Sequence, residues 1–370
     1  MRGYDAPARV LRPEIAPGRR VLVISDIHAN LPYFHGLLQK VGFCDDDFLI
    51  LNGDFLEKGS ESLETLHEVM ALCEKGNTVA LMGNCDGWGT VYYGTSRDEE
   101  AVLRSMRRRQ RGLLRDMART LGLDPLGITD AAGFLRRLAE AFPAEFAFLD
   151  ALPQAMEAGR YVFAHAAVYP DKPLEQHTVG ELIRCDAWYR KGCRFDKWVV
   201  VGHYPVMLYC DGIVCANPII DRERHIACID GACVLKDDGQ LNCLIIPDIT
   251  KDELGYEAYD PFPVRTVLSD QAASERSAYI RWGDSRVQVL RRGEEFSRCR
   301  HVRTGYELDI LTKYLFTDGE FTDCNDCTDY VLPLKAGDRV SVVERCSRGF
   351  FVKHNGVSGW YFGALQEAQA

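Results

Sequence analysis

The sequence predicts an α/β fold of buried parallel strands alternating with helices, closed by antiparallel strands and followed by small all-β modules. Three observations carry this. Five short apolar runs read as strands buried on both faces. The gaps after the first two are helix-sized and amphipathic. The last hundred residues alternate in short strand-turn-strand units.

The five runs are RVLVIS (Arg20–Ser25), FLILN (Phe48–Asn52), TVALM (Thr78–Met82), YVFAH (Tyr161–His165) and WVVVG (Trp198–Gly202). Between the second and third, Ser60 to Cys73 sets Leu63, Leu66, Val69 and Leu72 on one helical face. An insertion, about 96–153, follows the third run. It opens on a capping box, Ser96 to Glu99, and continues as a very basic helix, VLRSMRRRQRGLLRDMARTL. Its arginines read mainly as a solvated face, any one of which can reach a phosphate. A second helix is expected from Thr129 or Asp130. After the fifth run, HIACIDGACVLKDDGQLNCLIIP reads as two strands joined by a turn at Asp237-Asp238-Gly239, and YEAYDPFPVR (Tyr256–Arg265) as a linker. Beyond it Arg286–Leu315 can be laid on Arg339–Leu365 as an internal repeat.

Composition bounds the partners. The chain has 370 residues, 46% hydrophobic and 26% charged, with a net charge of -10. That suits a soluble globular protein and argues against nucleic acid or an anionic membrane as partner. The first twenty residues hold no apolar core of signal length, and no run is long enough to span a bilayer, so a cytoplasmic location is expected. The 14 cysteines are then expected to be reduced. Cys324 and Cys327 form a CxxC that Cys299 and His301 would complete as a zinc site, although a loop with two free thiols is the favoured reading.

The strand ends carry the chemistry. Asp26 and His28 follow the first strand, Asp54 the second, and Asn84, Cys85 and Asp86 the third; His165 ends the fourth and His203 follows the fifth. Each alone reads as a core histidine or a helix cap. Together they bring carboxylate, amide and imidazole donors to one edge, a set suited to two divalent metal ions.

These motifs resemble those of the calcineurin-like metallophosphoesterase superfamily, from Val21 to about Pro247, and in particular its phosphoprotein phosphatase branch. GDFLEKG (Gly53–Gly59), VGHYPV and IDGACVLKDDGQLNCLII carry that branch likeness, and NGVSGWYFGAL resembles the end of a bacterial SH3-like domain. The resemblance implies an α/β (α+β) metallophosphoesterase sandwich of mixed β-sheets flanked by helices, residues 1–249. SH3-like modules at 250–327 (with the linker) and 328–370 would follow. It implies that Asp26 and His28 hold one metal, Asp54 bridges, and Asn84, His165 and His203 hold the other. Manganese is the first expectation, with iron or zinc as alternatives. The implied reaction is in-line attack of a metal-bridging hydroxide on a phosphate ester, on a phosphorylated protein or a small phosphoester.

The chain departs from the branch pattern at three places. Cys85 stands where the branch has an acid histidine, Glu57 where it has the orienting Asp, and Lys58 where it has the clamping Arg. Lys is a point charge and cannot make a bidentate clamp. Cys85 is either the general acid or a packing residue, and Asp86 fixes the loop. Leaving groups that need little protonation should be favoured, such as aryl phosphates and anhydrides. Arg184, Arg190 and Arg194 are candidates for a second phosphate contact, and Tyr204 is placed with the substrate. A nucleotide or dinucleoside-polyphosphate hydrolase or a phosphodiesterase is the alternative on the same scaffold. A binding scaffold whose C-terminal modules take a peptide is the alternative from another class.

Overall fold

The computed structural model describes residues 3–87, 104 and 107–367. The expected capping box Ser96–Glu99 lies outside these residues. The chain forms two compact units: residues up to Pro205 with Pro218–Leu235 and Gly239–Tyr259, and Val206–Asn217 with Lys236–Asp238 and the chain from Asp260 on.

The first unit carries β1 (Val10–Leu11), β2 (Val21–Ile24), β3 (Phe48–Leu51), β4 (Thr78–Ala80), β5 (Ala155–Ala158), β6 (Tyr161–Ala164) and β7 (Trp198–Val201). After β8 (Val214–Cys215), which belongs to the second unit, it continues with β9 (Ile219–Asp221), β10 (Ile226–Cys228), β11 (Leu241–Ile246) and β12 (Gly255–Tyr259). All five expected strands form, but in two sheets. One runs β12-β11-β2-β3-β4, the other β1-β5-β6-β7-β10-β9. β2, β3 and β4 are parallel in the first, and β6, β7 and β10 are parallel in the second. Val21, Val23, Ile50 and Leu244 of one sheet share a single buried cluster with Met156, Phe163, Trp198 and Val200 of the other. Each such side chain removed from water contributes about 1.5–3 kcal/mol.

Helix α1 (Leu31–Val41) links β2 to β3, and α2 (Ser62–Glu74) links β3 to β4. Leu63, Leu66, Val69 and Leu72 are buried along α2, as the spacing predicts. In the insertion, α3 (Leu113–Thr120) precedes α4 (Ala131–Ala141) and α5 (Pro143–Ala151). Asp130 caps α4 through the Gly133 N–H at 2.8 Å. The basic stretch is not one helix. Residues 109–112 are irregular and α3 starts afresh at Leu113, because Gly112 sits at φ +131, outside helical space.

Two other expectations change. β10 and β11 are not a hairpin: β10 pairs with β7 and β9, whereas β11 pairs with β2 and β12. The segment between them crosses from sheet to sheet through left-handed residues at Ala232 and Val234. The linker-like YEAYDPFPVR is largely strand. Its first half is β12, and Val264–Thr266 pairs with Arg339–Ser341.

The second unit is all β apart from short turns. Arg286–Arg291, Phe296–His301 and Glu307–Leu311 form one antiparallel meander, and Arg339–Cys346, Gly349–His354 and Val357–Tyr361 form another. Each first hairpin carries a bulge at the same place in the repeat, Val289/Arg291 in one and Val342/Glu344 in the other. Each meander has its own apolar cluster. No helix among the described residues is long and apolar enough to cross a membrane.

Candidate metal centre

Both sheets deliver residues to the site. Asp26 and His28 follow β2, Asp54 follows β3 and Asn84 follows β4, while His165 follows β6 and His203 follows β7. Four of these hold a left-handed backbone: Asp26 at φ 58, His28 at 51, Asp54 at 52 and His203 at 67. Each such residue without a glycine's freedom costs about 1–2 kcal/mol. The surrounding packing enforces it. A Cβ on Gly83 would stand 2.1 Å from Asp54 Oδ1, and one on Gly202 would stand 2.2 Å from Asp26 Oδ2. The glycines before Asn84 and His203 are therefore what let those strand ends approach the carboxylates.

The side chains converge. Asp54 Oδ1 lies 3.3 Å from His165 Nε2 and accepts the Cys85 N–H at 2.8 Å. His165 Nε2 is also 3.3 Å from Asn84 Oδ1, and its Nδ1 is 3.0 Å from the Asn52 carbonyl. That second contact orients the ring, as metal-binding histidines require. Ser25 Oγ and the His203 N–H both donate to Asp26 Oδ2, at 2.5 and 3.0 Å. Asp86 accepts backbone N–H groups from Asp54, Leu56 and Gly83 at 2.6, 3.0 and 2.9 Å.

Charge and burial push these groups apart. Burial pulls His28 down to about 4 despite the nearby Asp54 charge, and burial with the His165 charge does the same to His203. Burial also opposes protonation of His165, but the carboxylates of Asp54 and Asp26 outweigh it and push His165 up to about 10. Asp54 goes the other way: against burial, His165 and His28 hold it well below the usual carboxylate range. Burial, then the Asp54 charge, pushes Asp86 up to about 8. Burial and the neighbouring Asp230 raise Asp26.

Metal fit follows from the donors. Ligand atoms of Asp54, His165 and His203 lie within 4.8 Å of one another, and so do those of His28, Asp54 and Cys85; Asp54 belongs to both groups. Asp26 Oδ1 is buried without a hydrogen-bond partner, and His203 Nε2 has only the exposed Asp186 carboxylate near it, at 3.3 Å. A buried acceptor left so is costly unless a cation completes it. Two adjacent divalent ions sharing Asp54 fit this donor set.

A family model described as calcineurin-like phosphoesterase matches residues 19–215, more than half of the chain. The chain belongs to that family. Its members are metal-dependent phosphoester hydrolases, and this chain is an enzyme of that kind. It is 26% identical, over 211 residues, to an asymmetrical bis(5'-nucleosyl)-tetraphosphatase of Bacillus velezensis, covering 50% of this chain and 77% of that protein. Among solved structures, a putative diadenosine tetraphosphatase is 20% identical with a TM-score of 0.44, covering 69% of this chain and 99% of that one. A protein serine/threonine phosphatase from Saccharomyces cerevisiae is 12% identical with a TM-score of 0.43, covering 70% and 85%.

In this phosphoesterase the remaining expected site residues fall into two sets. Cys85 is buried beside the centre, with Asn84 Nδ2 3.4 Å from its sulfur, and burial with the Asp54 charge raises its thiol. Lys58 is exposed on the same loop as Asp54, at φ 70. Glu57, which takes the place of the branch's orienting Asp, is engaged by the insertion. Its Oε2 accepts from Arg109 Nη1 at 2.8 Å and its Oε1 from the Leu113 N–H at 3.0 Å, so the carboxylate anchors the insertion. Tyr204 is half-buried next to His203. Arg184 and Arg190 are exposed and flank Asp186, whose carboxylate stands 3.3 Å from His203 Nε2. Arg194 turns away to the Glu223 carbonyl at 3.3 Å. His301 does not join the CxxC: its ring nitrogens face Thr304 and Asp284 at 2.9 and 3.0 Å, while Cys324 and Cys327 face each other at 4.0 Å.

Sequence reasoning missed Asp230, Asp186 and Arg109. Asp230 had the same signal as the others, an acidic residue just past a strand. The other two lie in irregular segments, where spacing says nothing about direction.

Proposed function

We propose that the chain is a dinuclear phosphoesterase acting on substrates whose leaving group departs without a proton, with bis(5'-nucleosyl) polyphosphates as the leading class. Asp26, His28 and Asp54 would hold one ion, and Asp54, Asn84, His165 and His203 the other. When bound, such a pair supplies Lewis-acid stabilisation of the transferring phosphoryl group. Manganese suits these oxygen and nitrogen donors, as do iron and zinc.

The observation that carries the reading is the engagement of Glu57 with Arg109 and Leu113. With that carboxylate committed to the insertion and a thiol at position 85, the described residues offer no oriented acid of the kind an alkyl ester needs. A phosphate leaving group needs no such acid. Lys58 supplies a point charge to the phosphoryl oxygens. Tyr204, next to His203, and the exposed Arg190 are assigned to the rest of the substrate. The tetraphosphatase relative favours the same substrate class.

A phosphorylated protein is the second reading, favoured by the Gly53–Gly59 likeness to the phosphoprotein phosphatase branch. The all-β unit is assigned as SH3-like modules. A cleft of about 220 Å³ lined by Phe296, Trp360 and Phe362 is the place for a peptide ligand there. A cytoplasmic location is proposed with it.

The test is hydrolysis by metal-stripped protein with and without manganese, on p-nitrophenyl phosphate, phosphoserine and a bis(5'-nucleosyl) tetraphosphate, alongside Asp54→Asn. Manganese-dependent turnover lost in Asp54→Asn, and fastest on the tetraphosphate, supports the reading. Faster turnover of phosphoserine favours the phosphoprotein reading. No turnover with manganese bound turns attention to a scaffold role for the all-β unit.

A further inference from the structure

The insertion builds a cationic cleft beside the metal centre. Glu57 is 6% exposed and grips the insertion through Arg109 and the Leu113 N–H. The approach is close enough that a Cβ on Gly112 would stand 2.4 Å from Glu57 Oε2. A second tie runs from the Ser62 N–H to Asp116 Oδ2 at 3.0 Å. These contacts hold residues 109–111 opposite Lys58. Between them opens a cleft of about 390 Å³ lined by Glu57, Lys58, Arg109, Gln110 and Arg111.

Its charge runs against that of the whole chain. Three cationic side chains face one carboxylate here, whereas the protein carries a net charge of -10. Such a local reversal in a concave site concentrates anions. Guanidinium groups are suited to phosphate oxygens by their fork of donors. The cleft also adjoins the centre, since Lys58 is on the Asp54 loop and the next residue, Gly59, donates its N–H to the His28 carbonyl at 2.9 Å.

We propose that this cleft is a second phosphate-binding site, which holds the phosphates next to the scissile one in a polyphosphate chain. This deepens the phosphoesterase reading above and rests on it. Lys58 then sits between the two sites. Arg109, steadied by Glu57, and the exposed Arg111 take the distal phosphates.

Two measurements on the full chain test it. The first is calorimetric titration of the metal-free protein with tripolyphosphate and with orthophosphate, which needs no catalysis. Tripolyphosphate should bind one to one and at least tenfold more tightly than orthophosphate. Arg111→Gln should reduce that preference at least fivefold, and Arg111→Lys should restore most of it. The second is the ratio of kcat/KM for a bis(5'-nucleosyl) tetraphosphate to that for p-nitrophenyl phosphate, at fixed free manganese. Arg111→Gln should lower the ratio at least tenfold. No preference for tripolyphosphate in the wild type, or a preference and a ratio unmoved by Arg111→Gln, overturns the cleft while manganese-dependent turnover keeps the phosphoesterase reading. Absence of turnover in the wild type overturns that reading instead, and the metal-free titration still decides whether the cleft binds phosphate chains.

Discussion

The Asp86 carboxylate receives the backbone N–H of Asp54 at 2.6 Å, so the residue two positions after Asn84 fixes the loop that carries the shared acid. The same carboxylate binds the N–H groups of Leu56 and Gly83. Asp86→Asn keeps the shape but replaces one accepting oxygen with an NH2 group. That oxygen serves either one of these backbone donors or two, and each buried donor left unmet costs about 1–3 kcal/mol. Asp86→Asn should therefore lose about 2–3 kcal/mol in denaturant unfolding. It should also weaken manganese binding at least tenfold, because Asp54 loses its fixed position.

Gly83→Ala tests whether close approach, rather than loop flexibility, places the centre. The added methyl would collide with Asp54 Oδ1 and with the Asp54 N–H, at 2.1 and 2.2 Å. Metal content after purification should fall below one ion per chain, and manganese-dependent turnover should drop at least a hundredfold. The C-terminal unit should unfold as in the wild type, since nothing in it is altered.

Much of this centre was legible because strand ends are. An apolar run that stops at Asp, Asn or His announces both the strand and the residue at its mouth, and all six inferred ligands were found that way. The partition of the strands between two sheets was not legible. β3 and β6 are buried along their whole lengths, and such runs look alike whichever sheet they join. The strand β5 was missed because AMEA is too weakly apolar to stand out. The left-handed backbone at Asp26, His28, Asp54 and His203 was invisible because no glycine marks it. The partner of Glu57 could not be read either, since Arg109 reaches it across about fifty residues from an irregular segment.

The histidines predict how the metal-free protein responds to pH. His28 and His203 are lowered to about 4, so the unfolded chain takes up their protons first. Their contribution is present above the ordinary histidine value near 6.5 and is lost as pH falls towards 4. His165 is raised to about 10, so its contribution is full below 6.5 and is lost as pH rises towards 10. Even one retained pKa unit, about 1.4 kcal/mol, moves Tm by roughly 3 °C in a domain of this size. Asp86, raised to about 8, and Asp26, also raised, lose their contribution as pH rises. That loss offsets the His28 and His203 gain below 6.5 and adds to the His165 loss above it. Tm of the metal-free protein should therefore change little below neutrality and fall from there towards pH 10. His165→Gln should flatten the alkaline limb, and manganese should do the same by displacing the His165 proton. Scanning calorimetry from pH 5 to 10 in chelator and in manganese reads both effects.

Restoring the histidine at position 85 separates a missing acid from a missing acid holder. A well-placed general acid is worth about a hundredfold or more on a poor leaving group. In this enzyme the carboxylate that would hold it, Glu57, is tied to Arg109 and Leu113. Cys85→His should therefore raise kcat on phosphoserine by less than about tenfold and leave kcat on p-nitrophenyl phosphate nearly unchanged. Adding Arg109→Gln removes one of the two ties, and the double variant should gain more on phosphoserine than the two single changes together. A hundredfold gain from Cys85→His alone would mean that the imidazole needs no carboxylate behind it. Glu57 would then be purely an anchor for the insertion, and the proposed preference for anhydrides would rest on Cys85 alone.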